Sequence, residues 1–256
     1  MTDNMSRANA NIVPIIAWSL LDILLRPTLL NQVMTQINNA TDSGSALPQG
    51  LQMPDLLANP LLQSIYAEEL RLRFAFLVTR TPLTDNFQIG GWRFPKGDMI
   101  LASTWHAHRD NTVWNEGPVR GESHPVDHFW AERFLVYPDD PASGPRKSSS
   151  GTVVKPKVSR PGDRTAEVGS NEPKFTTESV AGSWFPYGGG AKLCPGRFYA
   201  KQEAIGGVAM FLSMFEIELK QDKLAGFPQP DMSAYPFGVL APKGRFPARM
   251  RKRKQY

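Results

Sequence analysis

The 256-residue sequence predicts a mainly α chain with small β-sheets, an α+β fold. Apolar residues recur at helical spacing in three stretches, 9–40, 61–75 and 196–219. Between the second and third, "FQIGGWRFPKGDMILAST" alternates about a Gly-Gly pair and predicts a hairpin. Near the C-terminus, "FGVLAPKGRFPARMR" reads as one or two short strands. Hydrophobic residues at 41% can build a core, and 21% charged residues are ordinary for a soluble protein.

In the first stretch Ile12, Ile15, Ile16, Leu20, Ile23 and Leu24 share a helical face, and Pro27 ends the pattern. Pro14 lies inside this helix, where a missing N–H predicts a kink or an opening. The apolar run "IVPIIAWSLLDILL" is too short to span a bilayer, and Pro14 and Asp22 interrupt it. "MTDNMSRANAN" before it is polar, so the expectation is no signal peptide and no membrane anchor in this chain. "TDSGSALPQG" is a loop, and "LLQSIYAEELRLRFA" is the second helix. Residues 138–173 are rich in Pro, Ser, Gly and charge and predict a long flexible loop. The third helix is expected from Gly196 to about Leu219, with Phe198, Ile205, Val208, Phe211, Leu212 and Phe215 on its apolar face. No internal repeat is visible.

The formal net charge is +5, and five basic residues fall between Arg249 and Lys254. Without that tail the chain is nearly neutral, which argues against a nucleic-acid partner. The tail itself reads as a solvated terminus.

The chain has one cysteine, Cys194, in "SWFPYGGGAKLCPGRFYAKQEA". A lone cysteine is often a small buried hydrophobe, and it forms no internal disulfide. A thiol at a helix mouth, however, meets unpaired N–H groups and the positive end of the helix dipole, which favour the thiolate. Three consecutive glycines before it let the backbone lie against something flat. Spacing alone leaves both readings open, hydrophobe and metal or cofactor ligand.

Two charged features accompany it. Glu68 and Arg71 in "AEELR" stand three apart and face each other across one helical turn. Arg133 in "HFWAERFL" is flanked by Phe129 and Phe134, a setting that calls for burial and a carboxylate partner. All four histidines lie between His106 and His128. "HAHRDN" resembles a zinc-hydrolase motif, but Asn111 stands where a histidine should follow the acid. Pro125 breaks the helix that a His124–His128 pair would need. The glycine triplet is no phosphate loop, since no Gly-Lys-Ser/Thr comes after it.

Glu-x-x-Arg on a helix, "FWAERF" and the loop from Tyr187 through Cys194-Pro195-Gly196 occur here in one order. In that order they resemble the cytochrome P450 haem-thiolate monooxygenases. The resemblance runs over residues 1–256 as part of one such domain, from the family's central helix to its C-terminus, the C-terminal half of the fold. It implies haem b (iron-protoporphyrin IX) with Cys194 as axial thiolate and metal ligand. It further implies that Lys192 and Arg80 pair with haem propionates. Tyr187 stands at an aromatic position beside the haem, and Gly188, Gly190 and Gly196 let the loop lie on the ring. Glu68, Arg71 and Arg133 resemble the family's structural ion-pair triad.

The central helix departs from the common family pattern of an acid followed by threonine. Asn11 stands at the acid position and Ile12 at the alcohol position, which assigns these two the catalytic places. Ile12 donates no hydrogen bond, so water held by Asn11 and an opened backbone would have to serve. Asn11, Pro14 and "WSL" resemble the branch containing sterol 7-hydroxylases and prostacyclin synthase, in a fungal-type biosynthetic member.

The resemblance implies an oxidoreductase, a monooxygenase acting on a lipophilic sterol-, terpenoid- or polyketide-like molecule. The implied partner is NADPH-cytochrome P450 reductase, at the endoplasmic reticulum membrane for a full-length form. The alternatives are a non-catalytic truncated remnant, or a haem-thiolate isomerase needing no oxygen. Residues 74–79 and 237–240 are expected to line a pocket through Phe74, Phe76, Phe237 and Val239. A longer gene product is also expected, because these residues alone should leave Ile15, Ile16, Trp18 and Leu24 exposed.

Overall fold

The computed structural model describes residues 10–42, 48–117, 122–147, 172–220 and 227–253. Helix α1 (Ile12–Leu24) starts from Asn11, which makes Pro14 its third residue. In a first turn the N–H groups have no intrahelical partner, so the proline removes nothing and forces no kink there. The bend lies instead beyond Leu24, where α2 (Pro27–Asn39) departs at 116°. Arg26 is extended there and Pro27 opens the new helix, a position its fixed φ suits. No described helix is long and apolar enough to cross a membrane.

After α3 (Met53–Ala58), Asn59 caps α4 (Pro60–Arg73), its side chain accepting the Leu62 N–H at 3.1 Å. Every residue of α4 from Ser64 to Arg73 is buried. A helix buried all round must pair its charges inside the protein, and Glu68, Glu69, Arg71 and Arg73 all take part in ion pairs. Strand β1 (Phe74–Arg80) continues directly from it. The expected hairpin is β2 (Phe87–Ile89) and β3 (Trp92–Phe94), turned by Gly90 and Gly91 at φ 57 and 83. Then come β4 (Ile100–Ser103), the short α5 (Thr104–Ala107), β5 (Leu135–Val136) and β6 (Lys174–Phe175). Helix α6 (Arg197–Met214) leads into β7 (Phe215–Leu219), β8 (Phe237–Val239) and β9 (Ala248–Lys252). The largest sheet is antiparallel in the order β4-β1-β8, with Phe74 opposite Val239 and Phe76 opposite Phe237. Helices α1, α2, α4 and α6 share one core, centred on Ile23, Val33, Ile37, Leu72 and Leu212.

Several expectations are corrected. Residues 215–219 form β7 and not the end of α6, because Glu216 and Glu218 pair across strands with Arg251 and Arg249. The basic tail is therefore partly a strand, and Arg253 Nε donates to the Leu212 carbonyl at 2.8 Å. Lys254 lies outside the described residues. On α6, Ile205, Val208 and Leu212 are buried, whereas Phe198 and Phe211 are 66% and 43% exposed. Ile15 and Trp18 of α1 are buried at 2% and 0% exposure, covered by neighbouring elements of this same chain, and Ile16 and Leu24 are half-buried. Of the loop expected at 138–173, residues 138–147 pack against the body: Asn115 Nδ2 donates to the Ala142 and Gly144 carbonyls, both at 2.8 Å. Residues 148–171 lie outside the described residues.

Glu68 sits at the centre of the buried charges. Arg71 grips it bidentately, Nε to Oε2 at 2.7 Å and Nη2 to Oε1 at 2.8 Å. Arg133 Nε reaches Oε1 at 3.0 Å, and the Trp130 N–H donates to the same oxygen. All three side chains are fully buried. Burial pushes the Glu68 carboxyl up, but Arg133 and Arg71 outweigh it and hold it at about 2. The spare guanidinium donors go to backbone carbonyls of the irregular segment 108–128, among them His108 and Val126, both 2.6 Å from Arg71 Nη1.

A second buried set of charges has no counterpart in the motifs of the sequence. Asp22 of α1 bonds Arg73 of α4 at 3.0 Å and Arg26 at 2.6 Å, while Glu69 lies 3.4 Å from Arg73. Burial and the Asp22 charge raise the Glu69 carboxyl well above the usual range. The Arg73 guanidinium also covers the Trp18 ring at 3.7 Å.

His108 is buried, and its Nε2 accepts the Phe185 N–H at 3.1 Å. Burial and the Arg71 charge push it down to about 3, so it is neutral in the folded chain.

Glu68→Ala leaves two buried guanidinium groups uncompensated and should cost about 3–5 kcal/mol. Urea unfolding should show that loss, or the variant should be insoluble; a soluble variant with an unchanged midpoint would contradict the buried triad. For His108 the folded value lies below the unfolded one, about 6.5, so its contribution is complete above that pH. It is lost as the unfolded chain takes up the proton, by about 1.4 kcal/mol per pH unit between 6.5 and 3. Wild type minus His108→Gln stability should therefore fall with that slope below pH 6.5 and stay flat above it, which denaturant titrations across pH would reveal.

Candidate active site

The cysteine loop is built from glycine turns. Gly188 and Gly190 adopt φ of 74 and 63, values that side-chain-bearing residues avoid. A short 3₁₀ turn covers Gly190–Lys192, and the Cys194 N–H donates back to the Tyr187 carbonyl at 3.0 Å. Gly196 then caps α6, which places Cys194 just ahead of that helix's N-terminus. A Cβ on Gly196 would lie 3.9 Å from the Cys194 sulfur, ordinary contact, so this position is not sterically closed. The thiol is free and exposed.

Three contacts fix the loop to the body. Arg80 Nη2, at the end of β1, donates to the Gly189 carbonyl at 2.6 Å. The Phe185 N–H goes to buried His108. The Tyr187 hydroxyl donates to the Tyr66 hydroxyl of α4 at 3.0 Å, and its ring meets Trp184 edge-on. Burial pushes Tyr66 up to about 12 and raises Tyr187 as well, so both phenols stay protonated.

Cys194 opens onto a cavity of about 660 Å³, lined mostly by apolar atoms. One wall is the loop, with Gly188, Gly189, Lys192 and Gly196, continued by Ala200 and Glu203 of α6. Asn11, Ile12 and Ile15 of α1 also line it, and β1 and β8 contribute Phe74, Phe76, Phe237 and Val239. Arg80 and Lys192 put cationic groups at its edge, both on exposed residues. Thus Asn11, Ile12, Arg80, Tyr187, Lys192 and Cys194 come to one cavity. Gly190 stays in the loop behind it, and Glu68, Arg71 and Arg133 lie in the core outside it.

Asn11 is not an idle side chain, because its Oδ1 accepts the Val239 N–H at 2.9 Å. Sequence reasoning missed Glu203, whose Oε2 has no hydrogen-bond partner among the described residues although it lines the cavity. Its spacing from Gly196 and Ala200 along α6 is the signal that could have found it. The histidines diverge: His108 serves Phe185, His106 contacts Ser103 at 2.9 Å, and His124 stacks on Trp130 at 4.3 Å. Among the described residues no three His, Cys, Asp or Glu side chains gather as a metal site. One thiol in an apolar wall with cations at the edge fits a flat apolar group that carries its own metal and acidic arms.

Comparison with known proteins points to one family. The Cytochrome P450 family model matches residues 12–125. Cytochrome P450 monooxygenase fsoE of Humicola fuscoatra is 44% identical over 96% of this chain and 40% of its own length. Cytochrome P450 monooxygenase efuG of Hormonema carpetanum is 39% identical over 97% of this chain and 42% of its own. Cytochrome P450 7A1 of Rattus norvegicus is 27% identical over 92% and 41%. Among solved structures, the cytochrome P450DA heme domain superposes with a TM-score of 0.61, covering 95% of this chain and 40% of that one. At 16% identity that likeness shows the fold alone. The chain spans about two-fifths of the length of these curated relatives. Sequence kinship and fold together show that this chain belongs to the cytochrome P450 family, which implies a haem-iron cofactor.

Proposed function

We propose that the chain carries the thiolate wall and part of the roof of a monooxygenase acting on a lipophilic small molecule in fungal secondary metabolism. The observation that carries this is Cys194 at the mouth of α6, facing an apolar cavity edged by Arg80 and Lys192. When bound, a haem supplies iron chemistry with oxygen, and a cysteine thiolate raises electron density at the metal. Cys194 would be its ligand, metal-bound through sulfur. Arg80 and Lys192 would hold the propionates by charge-assisted bonds. Gly188, Gly190 and Gly196 present no side chain at their own positions in the loop, and Tyr187 supplies an aromatic edge anchored on Tyr66. Ile15, Phe74, Phe76 and Val239 exclude water and favour a sterol-, terpenoid- or polyketide-like substrate. Electrons would come from NADPH-cytochrome P450 reductase, and a full-length form would reside at the endoplasmic reticulum membrane.

A second reading, an isomerisation needing no oxygen, draws on α1. Ile12 has no hydroxyl, and the Asn11 acceptor is engaged by Val239, so this stretch of helix offers little to relay protons.

The reduced, carbon-monoxide-treated spectrum of haem-loaded protein tests the ligand. Cys194→Ala should abolish the thiolate-type band, and an unchanged band removes Cys194 from the site. Cys194→His should keep haem yet lose oxygenation. Ile12→Thr, in a longer active form, should lower peroxide leakage severalfold if oxygenation is the reaction. Unchanged leakage with oxygen-independent turnover selects isomerisation.

A further inference from the structure

An asparagine at a helix N-cap ordinarily accepts the second or third helical N–H. Asn11 makes no such bond, and the third position is Pro14, which has no N–H to give. Its carboxamide crosses instead to β8, where Oδ1 accepts the Val239 N–H at 2.9 Å across 228 residues of sequence. Gly238 lies directly beneath. Its φ is +127, and a Cβ built on it would sit 2.3 Å from the same Oδ1. Two turns along the same face of α1, Trp18 Nε1 donates to the Leu240 carbonyl at 2.7 Å. The central helix therefore holds β8 at Val239 and the chain just after it at Leu240, and the hold on β8 itself depends on one carboxamide.

We infer that Asn11 is a positioning residue that latches β8 to the start of α1, and that the Asn11–Gly238 pair sets the gap between these two walls of the cavity. Phe237, Gly238 and Val239 all line that cavity, as do Asn11 and Ile12, so moving β8 changes the shape offered to a ligand. Among the described residues β8 has only β1 beside it in the sheet, which leaves the helix contact to fix its other side. Trp18 is locked by Arg73 and by full burial, whereas Asn11 is exposed. The latch end is thus the adjustable one. Its role in ligand selection rests on the proposed haem-binding reading; its role in holding β8 does not.

Hydrogen exchange on the 256-residue chain tests the latch without haem. Asn11→Ala should speed exchange at Val239 roughly tenfold while leaving the Phe134 region unchanged. Asn11→Asp keeps the acceptor and should restore slow exchange. Unchanged exchange at Val239 in Asn11→Ala, or equal acceleration everywhere, overturns the inference. Gly238→Ala gives an independent readout. It should lower the melting temperature more in the wild-type background than in Asn11→Ala, where the close contact is gone, and strictly additive losses again overturn it. In haem-loaded protein, Asn11→Ala should alter the ratio of 4-phenylimidazole to imidazole affinity at least threefold; an unchanged ratio removes the latch from ligand selection. Wild type that holds no haem would overturn the proposed function, and exchange and melting would still decide the latch.

Discussion

The structure hangs on the Glu68 carboxylate, a single buried anion between two buried guanidinium groups. Isolated, each of these charges would be prohibitive in the core; together they are paired and hydrogen-bonded. Two arginines bring more donors than one carboxylate can accept, and the surplus goes to the backbone. Carbonyls of His108, Asn115, Pro125, Val126 and His128 all accept from Arg71 or Arg133. That is how a stretch with little regular secondary structure stays packed against α4: side-chain donors take the place of a ladder.

The same network reaches the cysteine loop by a short path. Arg71 holds the His108 carbonyl, the His108 ring accepts the Phe185 N–H, and the Phe185 carbonyl accepts the Gly188 N–H. Arg80 and Tyr187 fasten the loop from two other sides. The thiol wall is therefore defined from the core outward, and the glycine conformations only allow what these contacts impose.

The wall made by α1 and β8 obeys a different rule. Helix α1 is tied to α4 by Asp22 and Arg73, to β8 by Asn11, and to Leu240 just after β8 by Trp18. These bonds join elements that pack through apolar faces, and they leave the cavity between them with apolar side chains and few polar groups. A wall carrying one soft donor and an apolar wall whose edge strand is held by individual hydrogen bonds suit two different tasks. In the proposed reading one side would hold a prosthetic group, and the other would admit variation in what is bound above it.

The features legible in the sequence are local ones. The Gly-Gly hairpin, the glycine turns before Cys194, the Glu68–Arg71 pair and the course of α4 each depend on residues within a few positions of one another. Backbone sterics and helical periodicity act at that range. Arg133 was legible as a buried cation from its aromatic flanks, though its partner stands 65 residues away. The remaining features depend on how distant segments meet. "FEIEL" is a strand because "ARMRK" lies beside it. Ile15 and Trp18 are covered while Phe198 is not, because burial depends on which element packs where. Asp22 finds Arg73 51 residues on, and Asn11 caps a strand instead of its own helix. Each of these outcomes rests on a partner that no spacing rule reaches, since hydrogen bonds and apolar contacts between distant segments exist only once the chain has brought them together.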